Sequence, residues 1–253
     1  MSIISSRDNP RVRRWRALAR DARERRKEGR VLIEGAHLVA ACLDAGGRLE
    51  ELILDKDAAA TSGALVKRWG KSPTILDSRV FKAISGTETP TGIVAEIAIP
   101  ARRQDLKLAQ ACVLLEAIQD SGNVGAILRS AAAFGIRHAV LGKGCADAWS
   151  PKVLRAGAGA HFSLQVTESA DLVEAMTQFA GRIVCTVPRG GIAISDADLS
   201  GRIGWIFGAE GQGVSDALAA QATLRVSIPM SRSTESINVA AAAAICFHQS
   251  SLA

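Results

Sequence analysis

The stretch ACVLLEAIQDSGNVGAILRSAAAFGIRHAVLG, residues 111–142, decides the architecture. ACVLLEAI (111–118) is a continuous apolar run, and continuous rather than alternating hydrophobicity marks a strand buried on both faces. NVGAILRSAAAFG (123–135) carries Val124, Ile127, Leu128 and Ala131 at helical spacing and ends on glycine. HAVLG (138–142) is apolar again. Two buried strands joined by a helix rather than by a tight turn must lie parallel.

The alternation continues downstream. SPKVLRAGAGA (150–160) and ADLVEAMTQFA (170–180) read as helices, RIVCTV (182–187) and GWIFG (204–208) as strands, and ESINVAAAAAICFHQ (235–249) as the last helix. The expectation is an α/β domain with a parallel sheet covered on both faces, whose ligands sit beyond the carboxyl ends of the strands. Upstream, residues 3–28 read as a polar helix with Val12, Trp15, Leu18 and Ala19 on one face. VLIEG (31–35), LEELIL (49–54) and PTGIVAEIAIP (90–100) read as strands, and AHLVAACLDAG (36–46) as a glycine-ended helix. ARRQDLKLAQ (101–110) carries no pattern and reads as the linker. The predicted organisation is a small α/β domain over 1–104 and a second α/β domain over 105–253.

Composition bounds the possibilities. The 253 residues, 48% apolar and 22% charged, suffice for one large or two modest cores. Cys42, Cys112, Cys145, Cys185 and Cys246 are odd in number and form no C-x-x-C pair, which disfavours a disulfide framework or a metal site and fits a reducing compartment. No metal is expected. The apolar run Val239–Phe247 is too short to span a bilayer. The basic N-terminus lacks the apolar segment of a secretory signal and carries Asp8, Asp21, Glu24 and Glu28, unlike an acid-poor transit peptide. The cytoplasm is the expected location. Net charge is +6, yet residues 1–30 alone hold 11 Lys/Arg against 4 acids. Such a block attracts a polyanion through phosphate contacts; a solvated helix face laced with salt bridges reads the same way.

Three polar constellations fall just past strand ends. In QDSGNVGAILRS (119–130), Asn123 stands where a helix N-cap belongs, and Arg129 projects away from the apolar face of an otherwise uncharged helix. In IFGAEGQGV (206–214), Gly208, Gly211 and Gly213 make neither a G-x-G-x-x-G turn nor a P-loop. Glu210 there would repel a pyrophosphate and suits a neutral or cationic ligand approached by glycine backbone; a plain tight turn is the alternative. In SIPMSRSTESINVAAAA (227–243), Ile228, Pro229 and Met230 end a strand in an apolar turn, and Ser236 and Asn238 open the alanine-rich helix.

In this order the constellations resemble the three signature motifs of the SpoU (TrmH) family of RNA ribose 2′-O-methyltransferases, of the SPOUT superfamily. NVGAILRSAAAFG matches the first, IFGAEGQGV the second and IPMSRSTESINVAAAA (228–243) the third. SPKVLRAGAGAHFSLQV (150–166) resembles a family segment between the first two. ISSRDNPRVRRWRAL (4–18) and GRVLIEGAHLVAACLDAG (29–46) are similar to the substrate-binding domain of rRNA-type members. Ile237 departs from the usual leucine.

The resemblance implies a parallel-sheet domain whose C-terminal segment threads a trefoil knot, binds S-adenosylmethionine in a bent pose and dimerises. The implied cofactor contacts are Thr186, Gly208, Glu210, Gly211, Ile228, Met230, Asn238, Val239 and Ala240. The implied catalytic set is Asn123, Arg129, Glu210, Ser236 and Asn238. Because an arginine is a poor base with a pKa above about 12, Arg129 is expected to orient the ribose-phosphate and to stabilise the developing alkoxide. The others would hold ribose and cofactor loop in register, and no base is assigned. The implied substrate is rRNA, with tRNA as the runner-up. A non-catalytic RNA-binding protein of the same fold and an unrelated dinucleotide enzyme are the competing readings. The intact polar set argues against the first, and the absent G-x-G-x-x-G against the second.

Overall fold

The computed structural model describes residues 3–100, 105–231 and 233–253. The chain divides into two compact units, residues 1–101 with 149–162 and residues 102–148 with 163–253. The linker proposed at 101–110 and the boundary at 104/105 fall on or beside residues 101–104, which lie outside the described residues.

The first unit opens with β1 (Ile3–Ile4), α1 (Pro10–Arg20), α2 (Ala22–Glu28), β2 (Arg30–Glu34), α3 (Ala36–Asp44) and β3 (Leu49–Asp55). It continues with α4 (Gly63–Trp69), β4 (Thr74–Leu76), α5 (Ser78–Ile84) and β5 (Ile93–Ala98). The strands form one mixed sheet in the order β1-β4-β3-β5-β2, with β5 antiparallel to both its neighbours. The single helix expected over 3–28 is broken at Asp21, which adopts an extended conformation (φ −117°, ψ 117°). Its carboxylate accepts from the Arg23 N–H at 2.7 Å, so the same residue ends α1 and caps α2.

Val12, Trp15 and Leu18 of α1 pack with Leu32, Ile53, Leu76, Phe81 and Ile84. A polar link reinforces that face. Arg14 donates to both oxygens of the buried Glu96 carboxylate at 2.8 and 2.7 Å and to Glu28 at 2.6 Å, and the Trp15 indole N–H donates to Glu96 at 2.9 Å. Burial opposes ionisation of Glu96. The Arg14 and Trp15 hydrogen bonds outweigh it and hold the carboxyl below the ordinary range.

The remaining elements are β6 (Ala111–Leu115), α6 (Ser121–Ala133), β7 (His138–Gly142), α7 (Pro151–Gly157), β8 (Gln165–Ala170), α8 (Leu172–Gln178) and β9 (Arg182–Thr186). They end with β10 (Ile192–Ala193), β11 (Ile203–Phe207), α9 (Asp216–Ala219), β12 (Leu224–Ser227) and α10 (Val239–Ser251). All seven strands of the second unit are parallel, in the order β10-β12-β9-β11-β6-β7-β8. Strand β11 is inserted between β9 and β6, where the order of the sheet reverses, and such a reversal opens a crevice at the carboxyl ends. Phe247 of α10 meets Phe207 edge-on with ring centroids 5.7 Å apart, and the Trp205 indole N–H donates to Ser250 at 2.8 Å. These contacts fix α10 on the sheet beside α6.

Two element boundaries need correction. The strand beginning at Ala111 ends at Leu115, not at 118, and the final helix begins at Val239, not at 235. The segment 150–160, read as part of the second domain, forms α7 and packs within the first unit against β2. Pro151 and Leu154 join Leu32, Leu38, Ile84 and Val94 around one small shared cavity there.

Candidate active site

The three constellations converge at the carboxyl ends of the parallel strands. The N-cap of α6 is Asp120, whose carboxylate accepts from the Asn123 N–H at 2.8 Å. Asn123 therefore does not cap, contrary to the sequence reading. It lies inside the first turn, and its side chain is free to cross to the other motifs.

It makes two such bonds. The Asn123 side-chain N–H donates to the Glu210 carboxylate, and its carbonyl oxygen accepts from the Asn238 side-chain N–H at 2.9 Å. The Asn238 oxygen in turn accepts from the backbone N–H of Ala240 at 2.9 Å and of Ala241 at 3.3 Å, so Asn238 is the N-cap of α10. The chain of donors thus runs one way: α10 backbone, Asn238, Asn123, Glu210. Flipping either amide would set like groups against each other at both its ends, so the network fixes both side chains. The positive end of α10 terminates the relay, and the exposed carboxylate of Glu210 receives it. This accounts for an acid in a glycine turn: Glu210 is the acceptor that ties the second motif to the first and third.

The glycines serve the turn itself. A Cβ on Gly208 would lie 1.9 Å from the Gly213 carbonyl oxygen, so this glycine is required by its own loop rather than by an approaching ligand. Gly211 (φ +85°) and Gly213 (φ +71°) take left-handed conformations, and the Gly213 N–H closes the loop on the Ala209 carbonyl at 2.8 Å.

The segments after β9 and β12 line an open cleft of about 490 Å³, within the range of small-molecule sites. Ile228 and Met230 supply apolar walls, Ser231 and Thr234 hydroxyls, and Arg189 a charge. Thr186 ends β9 at the approach to Pro188 and Arg189 of that lining. Val239 and Ala240 form the first turn of α10, and the Ala240 N–H is already used by the cap.

Two expected members stand apart. Ser236 is exposed and precedes α10 instead of opening it. Arg129 is exposed on α6 and makes no hydrogen bond or ion pair among the described residues. Six residues beyond Asn123 place it about 9 Å along the helix and about 120° around it from that side chain. Sequence reading missed Arg189 and Glu116. Arg189 is the one arginine in the polar segment after β9. Glu116 was enclosed in an apolar strand, although a lone acid closing such a run is itself a signal. Among the described residues no three His, Cys, Asp or Glu side chains are grouped to hold a metal.

The SpoU rRNA methylase family model matches residues 110–248, and the MRM3-like substrate-binding domain matches residues 9–95. The 23S rRNA (guanosine(2553)-2′-O)-methyltransferase RlmP of Bacillus subtilis is 33% identical over 97% of this chain and 97% of its own length. Among solved structures, a TrmH-family protein of Porphyromonas gingivalis is 32% identical with a TM-score of 0.82, covering 96% of this chain and 97% of its own. The SpoU methyltransferase AviRb of Streptomyces viridochromogenes, solved with AdoMet, is 26% identical with a TM-score of 0.84 over 96% of this chain and 98% of its own. Motifs, site and near full-length similarity coincide, and the chain belongs to the SpoU rRNA methylase family.

Proposed function

We propose that this protein methylates a ribose 2′-hydroxyl in rRNA, using S-adenosylmethionine. The observation that carries the reading is the Asn123–Glu210–Asn238 network, which joins the three motifs at the mouth of the sheet. The residues fit the cofactor. The cleft has the volume of a small-molecule site, apolar walls at Ile228 and Met230 for an adenine, and hydroxyls at Ser231 and Thr234. Glu210 favours a cationic ligand nearby over a pyrophosphate. When bound, S-adenosylmethionine supplies an electrophilic methyl group.

The chain's task is then positional. Asn123 and Asn238 hold the 208–214 loop in register, and Ile228 and Met230 offer the adenine apolar contact. Arg129 orients the ribose-phosphate and stabilises charge on the 2′-oxygen as its proton leaves. Because Arg129 points away from the network of its own chain, it serves the site of a second copy. Supporting this, Ala241, Ile245, His248 and Leu252 are exposed along one face of α10, the helix packed on α6. Ile245 is 41% and Leu252 70% exposed, a stripe that a partner copy would cover. The reading includes a homodimer and a knotted C-terminal path.

The test is calorimetry followed by transfer. S-adenosylmethionine is expected to bind, NAD and ATP are not, and labelled methyl should appear on a ribose 2′-oxygen of rRNA. Mapping ribose methylation in total RNA from a deletion strain and its parent would then name the nucleotide. Tight NAD binding, or label on a base, would overturn the reading.

A further inference from the structure

The 208–214 loop closes on itself, yet its two ends are both held by one residue that none of the three motif segments contains. The Glu116 backbone N–H donates to the carbonyl of Phe207, where the loop leaves β11, at 2.8 Å. The Glu116 carboxylate accepts from the Ser215 N–H, where the loop ends, at 2.7 Å. Glu116 is half-buried just beyond β6, the neighbour of β11. Directly after it, Ala117 is held at φ +52°, a left-handed conformation unusual for a residue with a side chain. That bend carries the chain out of the strand toward α6 and leaves the Glu116 side chain facing the loop. Strained backbone of this kind persists where the surroundings impose it and concentrates at functional sites.

We infer that Glu116 is a positioning residue: it pins both ends of the 208–214 loop to β6, so that Glu210 is presented to Asn123 and the cofactor site is formed before ligand arrives. Glu116 does not touch the reacting atoms. Without its carboxylate the Ser215 end is released, the loop samples other positions, and binding must first select the competent one. The inference rests on the cofactor reading above.

The experiment measures S-adenosylmethionine affinity, turnover and melting temperature for four variants of the full chain. Glu116→Ala should weaken affinity about tenfold or more, the scale of a lost charge-assisted hydrogen bond, with little change in melting temperature. Glu116→Gln keeps an acceptor oxygen and should restore affinity to within about threefold of wild type. Ser215→Pro removes the donor instead. Ser215 sits at φ −60°, which proline adopts, and its side chain caps nothing. This variant should reproduce the Glu116→Ala loss, and in the double variant the two losses should not add. Wild-type protein that fails to bind S-adenosylmethionine overturns the cofactor reading. Wild-type binding with unchanged affinity in Glu116→Ala, or additive losses in the double variant, overturns the role of Glu116.

Discussion

Gly208 has no room for a side chain, and the consequence is measurable. A Cβ placed 1.9 Å from the Gly213 oxygen forces the loop open, so Gly208→Ala should lower turnover about a hundredfold. Melting should fall as well, because Gly208 is buried and Val214 of the same loop packs against the core. Asn123→Ala removes two cross-motif bonds without touching the cap of α6, which belongs to Asp120. It should weaken cofactor binding about tenfold while helix content by circular dichroism stays constant. A comparable loss of helix would show that Asn123 is a capping residue after all. At this scale the residue types of the site were legible, because carboxylate, amides and glycines beside strand ends have few other uses. Who bonds whom was not. Asp120 and Asn123 are both cap-forming types three positions apart, and only backbone geometry decides between them.

Whole elements show where charge is committed and where it is spare. Of the basic residues in the first thirty, Arg14 pairs with Glu28 and Glu96, Arg11 with Glu51 and Arg30 with Glu50. Arg25 is buried and donates to the Leu18 carbonyl at 2.7 Å. Arg13, Arg16 and Arg20 line one exposed face of α1, Arg23 and Arg26 follow on α2, and none makes an ion pair among the described residues. The salt-bridged reading therefore describes Arg11, Arg14 and Arg30, while Arg13, Arg16 and Arg20 are the residues on which the polyanion reading is to be tested. Deleting the block would remove Trp15 from the core, so charge is better probed by substitution. Replacing Arg13, Arg16 and Arg20 by Gln should reduce the slope of log affinity for RNA against log salt by about two, near 0.7 per lost phosphate contact. Melting and cofactor affinity should stay as they are, and an unchanged slope would show a merely solvated face. Arg14→Gln should instead cost about 2–3 kcal/mol, because it strands the buried Glu96 carboxylate, with solvent at the part-exposed Arg14 keeping the loss at the low end. The lowered pKa of Glu96 means its bonds stabilise the fold above pH 4.5, its ordinary value, and are lost as pH falls through the lowered one. Acid melting of Glu96→Gln should accordingly be less pH-dependent in that window. Buried strands such as β7 and β11 were legible as apolar runs. The half-exposed β8 and the two-residue β10 were not, because they lack either a run or a full alternation, and β12 was legible only through the apolar turn at Ile228–Met230 that ends it.

At the scale of the molecule, one segment packs away from its neighbours in sequence: α7 follows β7 along the chain yet packs on the sheet of the first unit. Apolar spacing says that a helix face is buried, not which sheet buries it. The same limit applies to Arg129. Its sequence shows an arginine at a strand-linked helix, whereas the structure shows it turned from the network that its own Asn123 joins. If the site is completed by a second copy, the two lesions Arg129→Ala and Asn238→Ala fall in different halves of one site. Arg129→Ala should retain cofactor affinity, since Ile228 and Met230 are untouched, and lose methyl transfer. Asn238→Ala should lose the relay to Asn123 and with it the register of the loop. A dimer formed from one copy of each variant then holds one site with both lesions and one with neither. Co-expressed with different affinity tags and purified through both, such dimers should recover about half of the wild-type activity, because one of two equivalent sites is intact. Each parent, purified alone, should stay inactive. Doubly tagged dimers as inactive as their parents would place Arg129 at the site of its own chain, and would require α6 or the cofactor loop to move before the 2′-hydroxyl is engaged.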